Sequence, residues 1–147
     1  VAPSRGLGDV YKRQSGIAPI RKLIERNIPI GLGSDISGGH IVSMAKVLTE
    51  AIGLSKMKWA EVDPNYAPLT LSEAFYMATK GGGQFFGHVG SFEKGYELDA
   101  LIIDDTSLFD PNERSLEERL ERWLYVGDDR HIIERYVAGR VVPSPKG

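Results

Sequence analysis

The fold is decided by the stretch IPIGLGSDISGG, residues 28–39 of this 147-residue chain. Its first six residues are apolar or glycine with no polar alternation, which predicts a strand buried on both faces, as in a parallel sheet or barrel interior. Residues 16–27 place apolar side chains at helical spacing before it, with Ser15 as the expected cap, and a second amphipathic helix follows from Ile41. Helix, strand, polar loop and helix form the repeating unit of an α/β fold.

One such unit cannot bury its own strand, and no neighbouring strand or helix precedes Ile17, so we expect several β/α units to be missing from this sequence. Residues 1–14 lack apolar periodicity, and residues 4–14 back-translate onto an adapter used in sequencing libraries. We therefore expect residues 1–14 to be an unstructured, adapter-derived artefact, with the gene beginning further upstream. The alternative is a natural disordered leader.

Composition excludes several classes of function. The chain carries 18 basic and 20 acidic side chains, a net charge of −2, which argues against nucleic-acid binding. It has no cysteine, which excludes disulfides, thiolate nucleophiles and cysteine-ligated metal sites. Its three histidines, His40, His88 and His131, are too scattered to form a zinc site by themselves. No apolar run approaches the ~18 residues of a membrane span, so we expect a cytoplasmic protein without a membrane partner.

The rest of the chain reads as helices followed by short strands. Thr70 with Glu73 is a capping-box signature, and Gly81–Gly83 are expected to stop the helix that follows it and to form a close-packing site. Residues 98–103 predict a strand and residues 132–142 a terminal hairpin. Between them lies a helix capped by Ser115 and Glu118, whose inward side chains are expected to be Leu116, Leu120, Trp123 and Leu124.

This order of elements predicts an α/β protein in two parts. We expect residues 15–90 to be the last β/α units and trailing helices of a TIM-like barrel. Residues 91–147 are expected to be the C-terminal part of a small β domain with an inserted helix.

Asp35 is the first candidate for chemistry because it comes directly after the carboxyl end of the predicted strand, where barrel enzymes place catalytic side chains. A carboxylate there can ligate a divalent metal and accept a proton from water bound to it. The alternative is that Asp35 caps the helix beginning near His40. A phosphate-binding loop is excluded by spacing, since a dinucleotide fingerprint needs glycine where Ile36 stands.

The remaining candidates favour structural roles. His40 is placed at the same mouth and could touch substrate, although capping or solvation is the simpler interpretation. His88 and His131 are interpreted as structural, and residues 128–130 as a turn with surface ion pairs. Trp59, Trp123 and Tyr125 are expected to be core or interface aromatics.

Four segments together resemble the C-terminal part of guanine deaminases, in the metal-dependent amidohydrolase superfamily. They are SGIAPIRKLIERNIPIGLGSDISGG (15–39), LTLSEAFYMATKGGGQFFG (69–87), GSFEKGYELDALIID (90–104) and YVGDDRHIIERYVAGRVVP (125–143). GLGSD followed by a glycine pair is typical of metal amidohydrolases in general. The tail with GDDR and the final hairpin points to guanine deaminases within them.

The resemblance implies the C-terminal part of an amidohydrolase-type (β/α)8 barrel, plus the last strands of a small β-sandwich. It implies that Asp35 is the last metal ligand, holding Zn²⁺ and taking the proton as the bound water becomes hydroxide. The hydroxide would attack the guanine carbon that bears the exocyclic amine, releasing ammonia and leaving xanthine. The implied partner is a small purine base, and the intact parent is expected to be a homodimer.

The family's histidine ligands, its glutamate proton shuttle and most guanine-reading side chains would lie upstream of this sequence. Because catalytic zinc takes about three protein ligands plus water, the chain alone is expected to be inactive. Two alternatives remain open. One is a related deaminase or chlorohydrolase acting on another purine, a pyrimidine or a triazine; the other is a non-catalytic packing or dimerisation module.

Overall fold

The structure is a computed structural model that describes residues 16–36 and 38–143. The elements, in chain order, are α1 (Ile20–Glu25), α2 (Met44–Glu61), α3 (Leu71–Ala78), α4 (Lys80–Gly83), β1 (Ala100–Ile103), α5 (Leu116–Val126), a 3₁₀ turn (Asp129–His131), β2 (Ile132–Val137) and β3 (Arg140–Val141). The predicted artefact at residues 1–14 and the predicted cap Ser15 lie outside the described residues. The predicted α/β class is confirmed.

Two of the helices begin where the sequence predicts. At α3, the Thr70 hydroxyl accepts a hydrogen bond from the Glu73 backbone N–H at 3.2 Å, and the Glu73 carboxylate accepts one from the Thr70 N–H at 2.9 Å. The same reciprocal pair, Ser115 and Glu118, begins α5. Each capping box satisfies two backbone N–H groups that a helix start otherwise leaves without a partner.

A hydrophobic core joins the helices that precede β1 with α5, which lies between β1 and β2 in the sequence. Its buried side chains come from α1, α2, the loop before α3, α3 and α5: Ile20, Leu48, Ala51, Ile52, Leu69, Ala74, Met77, Trp123 and Leu124. Helix α5 thus packs on α2 although about 60 residues separate them. The prediction that Leu116 faces inward is wrong, since this side chain in the first turn of α5 points to solvent. Trp59 and Tyr125 are about half exposed, so they are not core residues, and an interface role for them stays a prediction.

The sheet is antiparallel in the order β1-β2-β3. Ala100 pairs with Tyr136 and Ile102 with Glu134, and the register shifts between Ile102 and Ile103. Strands β2 and β3 form the predicted hairpin through Ala138 and Gly139, both with positive φ, which suits the two-residue turn of a twisted hairpin. The Ala138 N–H donates to Asp99 Oδ1 at 2.8 Å, which ties the turn to the start of β1.

The predicted strand at residues 28–33 is not formed. This segment carries no regular secondary structure and has no ladder partner among the described residues. Its Leu32 N–H donates instead to the Met77 carbonyl of α3 at 3.0 Å. A strand is defined by its pairing with other strands. A sequence suited to a buried parallel strand therefore forms one only where neighbouring strands are present.

One half of the prediction for the glycine run after α3 is confirmed and the other is wrong. Helix α3 ends at Ala78, before the glycines, and Lys80–Gly83 form one further helical turn, α4. The glycines therefore do not stop the helix. They do form the predicted close-packing site, since Gly81 and Gly83 are buried against backbone atoms. Within residues 16–36 and 38–143, none of the helices combines the length and apolarity needed to cross a bilayer.

Candidate functional site

Asp35 occupies an uncommon backbone conformation at the end of the segment that was predicted to be a strand. Its φ is +44°, in the left-handed region that costs a residue with a side chain about 1–2 kcal/mol. Aspartate is among the few non-glycine residues that tolerate this conformation, because its short polar side chain can bond locally. Strain of this kind is concentrated at functional sites, where the surrounding structure imposes it.

The Asp35 carboxylate is partly buried and incompletely satisfied. Its Oδ2 atom is inaccessible to solvent and has no hydrogen-bond partner among the described residues. A buried carboxylate oxygen without a partner is costly, and each such atom in a folded protein calls for an explanation such as an ion or water. The atom is therefore fitted to receive a cation or a proton.

A tight turn follows Asp35 and depends on Gly39. The Gly39 N–H donates to the Asp35 carbonyl, and Ile36 and Gly39 form an isolated bridge. A Cβ at position 39 would collide with the Ser34 carbonyl oxygen and lie 3.1 Å from that of Asp35. Only glycine allows the turn to close this far, which explains one member of the glycine pair that follows the aspartate.

The interpretation of Asp35 as a helix cap is wrong. Helix α2 begins at Met44, and the residue at its N-cap position is Ser43. Asp35 therefore lies well before the helix start and outside the reach of its first backbone N–H groups.

His40 lies on the surface beside the turn, on the same loop as Asp35. It lines a small cavity of about 10 Å³, together with residues of the turn and of α2: Gly33, Ser34, Gly39, Ile41, Val47 and Glu50. A cavity of this size holds about one water molecule and no purine base. The Asp35 side chain is not among its walls, so the structure gives the two candidates one loop but no common cavity.

Glu50 is a residue that the sequence reasoning gave no role. It follows Val47 by three residues on α2, so an acid interrupts the buried face of the helix beside the cavity that His40 lines. An acidic side chain at i+3 from a buried valine was the available signal, because that spacing places both on one helix face.

The described residues do not supply a complete metal site. No group of three or more histidine, cysteine, aspartate or glutamate side chains in residues 16–36 and 38–143 could hold a metal ion. Asp35, with its unpartnered oxygen, fits the role of one ligand. Because catalytic zinc takes about three protein ligands, the rest would have to come from elsewhere.

A partly buried ion pair joins α1, which precedes the Asp35 segment in the sequence, to α3, which accepts a hydrogen bond from that segment. Arg21 of α1 donates to both oxygens of Glu73 of α3, at 2.6 and 3.0 Å, and to the carbonyls of Ala67 and Pro68. The Arg21 hydrogen bonds lower the pKa of Glu73 to about 2. A bidentate guanidinium–carboxylate pair is both directional and strong, so α1 and α3 are held in one relative position.

The other polar predictions fall outside this site. His88 stacks on Tyr96 with ring centroids 5.4 Å apart, and buried His131 accepts a hydrogen bond from the Asp128 N–H at 3.1 Å. Arg130 pairs with Asp128 on the surface and holds the pKa of that carboxyl at about 2. The structural interpretation of these residues is consistent with their positions.

Comparison with known proteins identifies the family of this chain. A family model described as "Amidohydrolase family" matches residues 9–142. The chain belongs to the amidohydrolase family. The match includes residues 9–14, the end of the segment predicted to be an artefact, whose origin stays a prediction.

This amidohydrolase chain is similar to guanine deaminases. It is 38% identical over 139 residues to the guanine deaminase of Dictyostelium discoideum, covering 90% of this chain and 31% of the relative. A crystal structure of the guanine deaminase of C. acetobutylicum, with guanine bound in its active site, superposes with a TM-score of 0.82 at 53% identity, over 88% of this chain and 30% of that one. The E. coli enzyme superposes with a TM-score of 0.79 at 30% identity, covering 95% and 32%.

These similarities confirm the resemblance seen in the sequence. The chain spans about a third of the length of the relatives it matches. The segment at residues 28–33 lies within the range of the family match, although no strand is formed there.

Proposed function

We propose that this chain is the C-terminal part of a guanine deaminase, which hydrolyses guanine to xanthine and ammonia. The observation that carries the proposal is the 53% identity and 0.82 TM-score to a guanine deaminase holding guanine in its active site. The substrate in this proposal is a small purine base, and the reaction replaces the exocyclic amine with a carbonyl oxygen.

Asp35 is the proposed functional residue of this part of the enzyme. Its buried Oδ2, without a partner among the described residues, supports a role in binding a cation and holding a proton. The proposed cofactor is Zn²⁺, which lowers the pKa of water and so supplies a nucleophile near neutral pH when bound. Asp35 would hold one ligand position, and its left-handed backbone fixes the direction in which the carboxylate leaves the chain.

The open side of the Asp35 segment supports a continuation of the barrel. An open groove of about 550 Å³ lies between the segment and α3, and its walls include Ile24, Ile28, Ile30, Tyr76 and Met77. A largely apolar groove, beside a backbone segment that has no ladder partner within residues 16–36 and 38–143, suits a neighbouring strand and helix. We propose accordingly that residues 15–90 belong to a TIM-like barrel and residues 91–147 to a smaller β domain, in a parent that forms homodimers.

The test is a hybrid enzyme in which residues 16–143 replace the matching C-terminal 30% of the C. acetobutylicum guanine deaminase. We expect the hybrid to bind zinc and release ammonia from guanine in preference to other purines, pyrimidines and triazines. Preference for another ring would overturn guanine as the substrate. The 147-residue chain alone is expected to release no ammonia.

The role of Asp35 is tested in the same hybrid by Asp35→Asn. Loss of hydrogen bonds around a metal ligand costs 10–100-fold, so replacement of a ligand itself should lower turnover more than about 100-fold and reduce the zinc content. The matched control is Asp129→Asn, which makes the same change in the exposed 3₁₀ turn and should leave both unchanged. Full activity of the Asp35→Asn hybrid would show that Asp35 is not a ligand.

A further inference from the structure

The segment that carries Asp35, residues 28–35, packs against α3 and α4, and glycines lie on both sides of the contact. A Cβ added at Gly31 would lie 2.8 Å from the Cα of Gly82, and a Cβ added at Gly81 would lie 3.0 Å from the Ile30 carbonyl oxygen. Two backbones approach this closely only where neither carries a side chain. Each member of the Gly81–Gly82 pair thus faces one residue of the segment.

A hydrogen bond lies directly beside this glycine contact. The Leu32 N–H donates to the Met77 carbonyl at 3.0 Å, and a Cβ at Gly82 would lie 3.1 Å from that same carbonyl oxygen. The contact and the bond therefore fix two consecutive residues, 31 and 32, against α3 and α4. Asp35 follows three residues after Leu32, so only the dihedral angles of a few residues lie between the fixed segment and the aspartate to absorb a displacement at residue 31.

We propose that Gly31 and Gly82 are positioning residues that set the place of the Asp35 carboxylate. This inference rests on the proposed function of Asp35 as a ligand. Introducing a Cβ at Gly31, 2.8 Å from the Gly82 Cα, requires the two backbones to move apart by roughly 0.7–1.2 Å, since carbon atoms pack best at about 3.5–4.0 Å. A misplacement of about 1 Å at a reacting centre costs about 100-fold in rate.

The contact itself is tested in the 147-residue chain by amide hydrogen exchange. In Gly31→Ala, the Leu32 amide should exchange at least about tenfold faster, while the amides of α2 keep their protection. Gly82→Ala should give the same result by crowding Met77 without changing the segment, which covers the case in which Gly31→Ala fails to fold. The matched control is Gly53→Ala on α2, where a Cβ would meet nothing within 4 Å. Unchanged Leu32 exchange in both variants would overturn the proposal.

The consequence for Asp35 is tested in the hybrid enzyme. Gly31→Ala should lower turnover at saturating guanine about 100-fold and weaken zinc binding, with Gly53→Ala unaffected. Asp35→Glu should be less harmful in the Gly31→Ala background than alone, because a longer side chain compensates for a displaced backbone; a purely structural role would make the two losses multiply.

The outcomes separate the two proposals. An inactive hybrid with zinc absent would overturn the proposed function, whereas the exchange result still decides whether the glycine contact fixes the segment. Two results in an active hybrid would overturn the positioning role. One is full turnover of the Gly31→Ala variant; the other is a double variant whose loss of turnover equals the product of the Gly31→Ala and Asp35→Glu losses.

Discussion

Residues 28–33 and residues 98–103 were both predicted to be strands, and only the second became one. Strand β1 finds its partner in β2, which follows it in the same chain and pairs with it from Ala100 to Ile103. The apolar stretch at 28–33 has no partner strand among the described residues; its Ile28 N–H donates to the Leu23 carbonyl of α1 and its Leu32 N–H to the Met77 carbonyl of α3. The comparison shows that an apolar pattern indicates the buried environment to which a strand is suited. Whether the strand forms depends on the presence of a partner strand.

The two regions also differ in how they reach the core. The sheet contributes only partly buried side chains, Ile103 and Ile132, and leaves Leu101 and Ile133 more than half exposed. The segment that carries Asp35 contributes Ile30 and Leu32, again at the edge of the core. Both regions therefore depend on the core formed by the helices. Two substitutions, Trp123→Ala and Glu73→Gln, measure that support, and Arg130→Gln is their surface control.

Trp123→Ala should have the largest effect on stability. Trp123 is 8% exposed and packs in the core shared by α1, α2, α3 and α5. Truncation of a buried tryptophan costs about 3–5 kcal/mol, so the urea midpoint of the chain should fall sharply. Helical and sheet signals should be lost in one transition. A sheet signal that keeps its original midpoint would show that residues 100–141 are stable without the shared core.

Much of this helical framework could be predicted from the sequence, because its determinants are local. Thr70 with Glu73 and Ser115 with Glu118 form capping boxes as predicted, and the turn at Ala138–Gly139 lies between the two predicted hairpin strands. These features depend on side chains three or four residues apart, a separation that sequence patterns report directly.

The candidate site could be predicted only in part, because its geometry depends on distant residues. Position after an apolar stretch was enough to single out Asp35. Its left-handed backbone and its unpartnered oxygen have no signature in a local sequence pattern, and the contact of Gly31 with Gly82 joins residues about 50 positions apart. The close-packing role of the glycine run could be predicted from the sequence, whereas the segment that it packs against could not, because residues 30 and 31 lie about 50 residues earlier in the chain.

Glu73→Gln should have an intermediate effect, and its sign depends on pH. The pKa of Glu73 is lowered to about 2 from its ordinary value of 4.5, so its ionised form stabilises the fold above pH 4.5, and that contribution is lost as the pH falls toward 2. Because the carboxylate is about one-third exposed, screening limits the effect at pH 7 to about 1 kcal/mol.

The measurement is the free energy of unfolding of both chains between pH 7 and pH 2. The difference between wild type and Glu73→Gln should shrink steadily below pH 4.5 and vanish near pH 2. A difference that stays constant over this range would show that the carboxylate charge does not hold α1 to α3.

Arg130→Gln is the matched case with the smallest expected effect. Arg130 pairs with Asp128, whose pKa is also lowered to about 2, but the arginine is 83% exposed and the partners are two residues apart. Exposed pairs of this kind contribute little because water screens the charges. The Tm of Arg130→Gln should equal that of the wild type at pH 7. A drop as large as that of Glu73→Gln would mean that burial does not distinguish the two pairs.

The hydrogen bonds of the Arg21 guanidinium to residues about 50 positions away limit how this part of the sequence can be exchanged between related genes. The Arg21 side chain makes four hydrogen bonds, to the carbonyls of Ala67 and Pro68 and to both carboxylate oxygens of Glu73, and a lysine ammonium has only three donors and lacks the planar fork. A crossover between residues 21 and 67 would therefore inherit the donor from one ancestor and the acceptors from another. Recombinants that keep both halves from a single ancestor should survive more often in shuffled libraries.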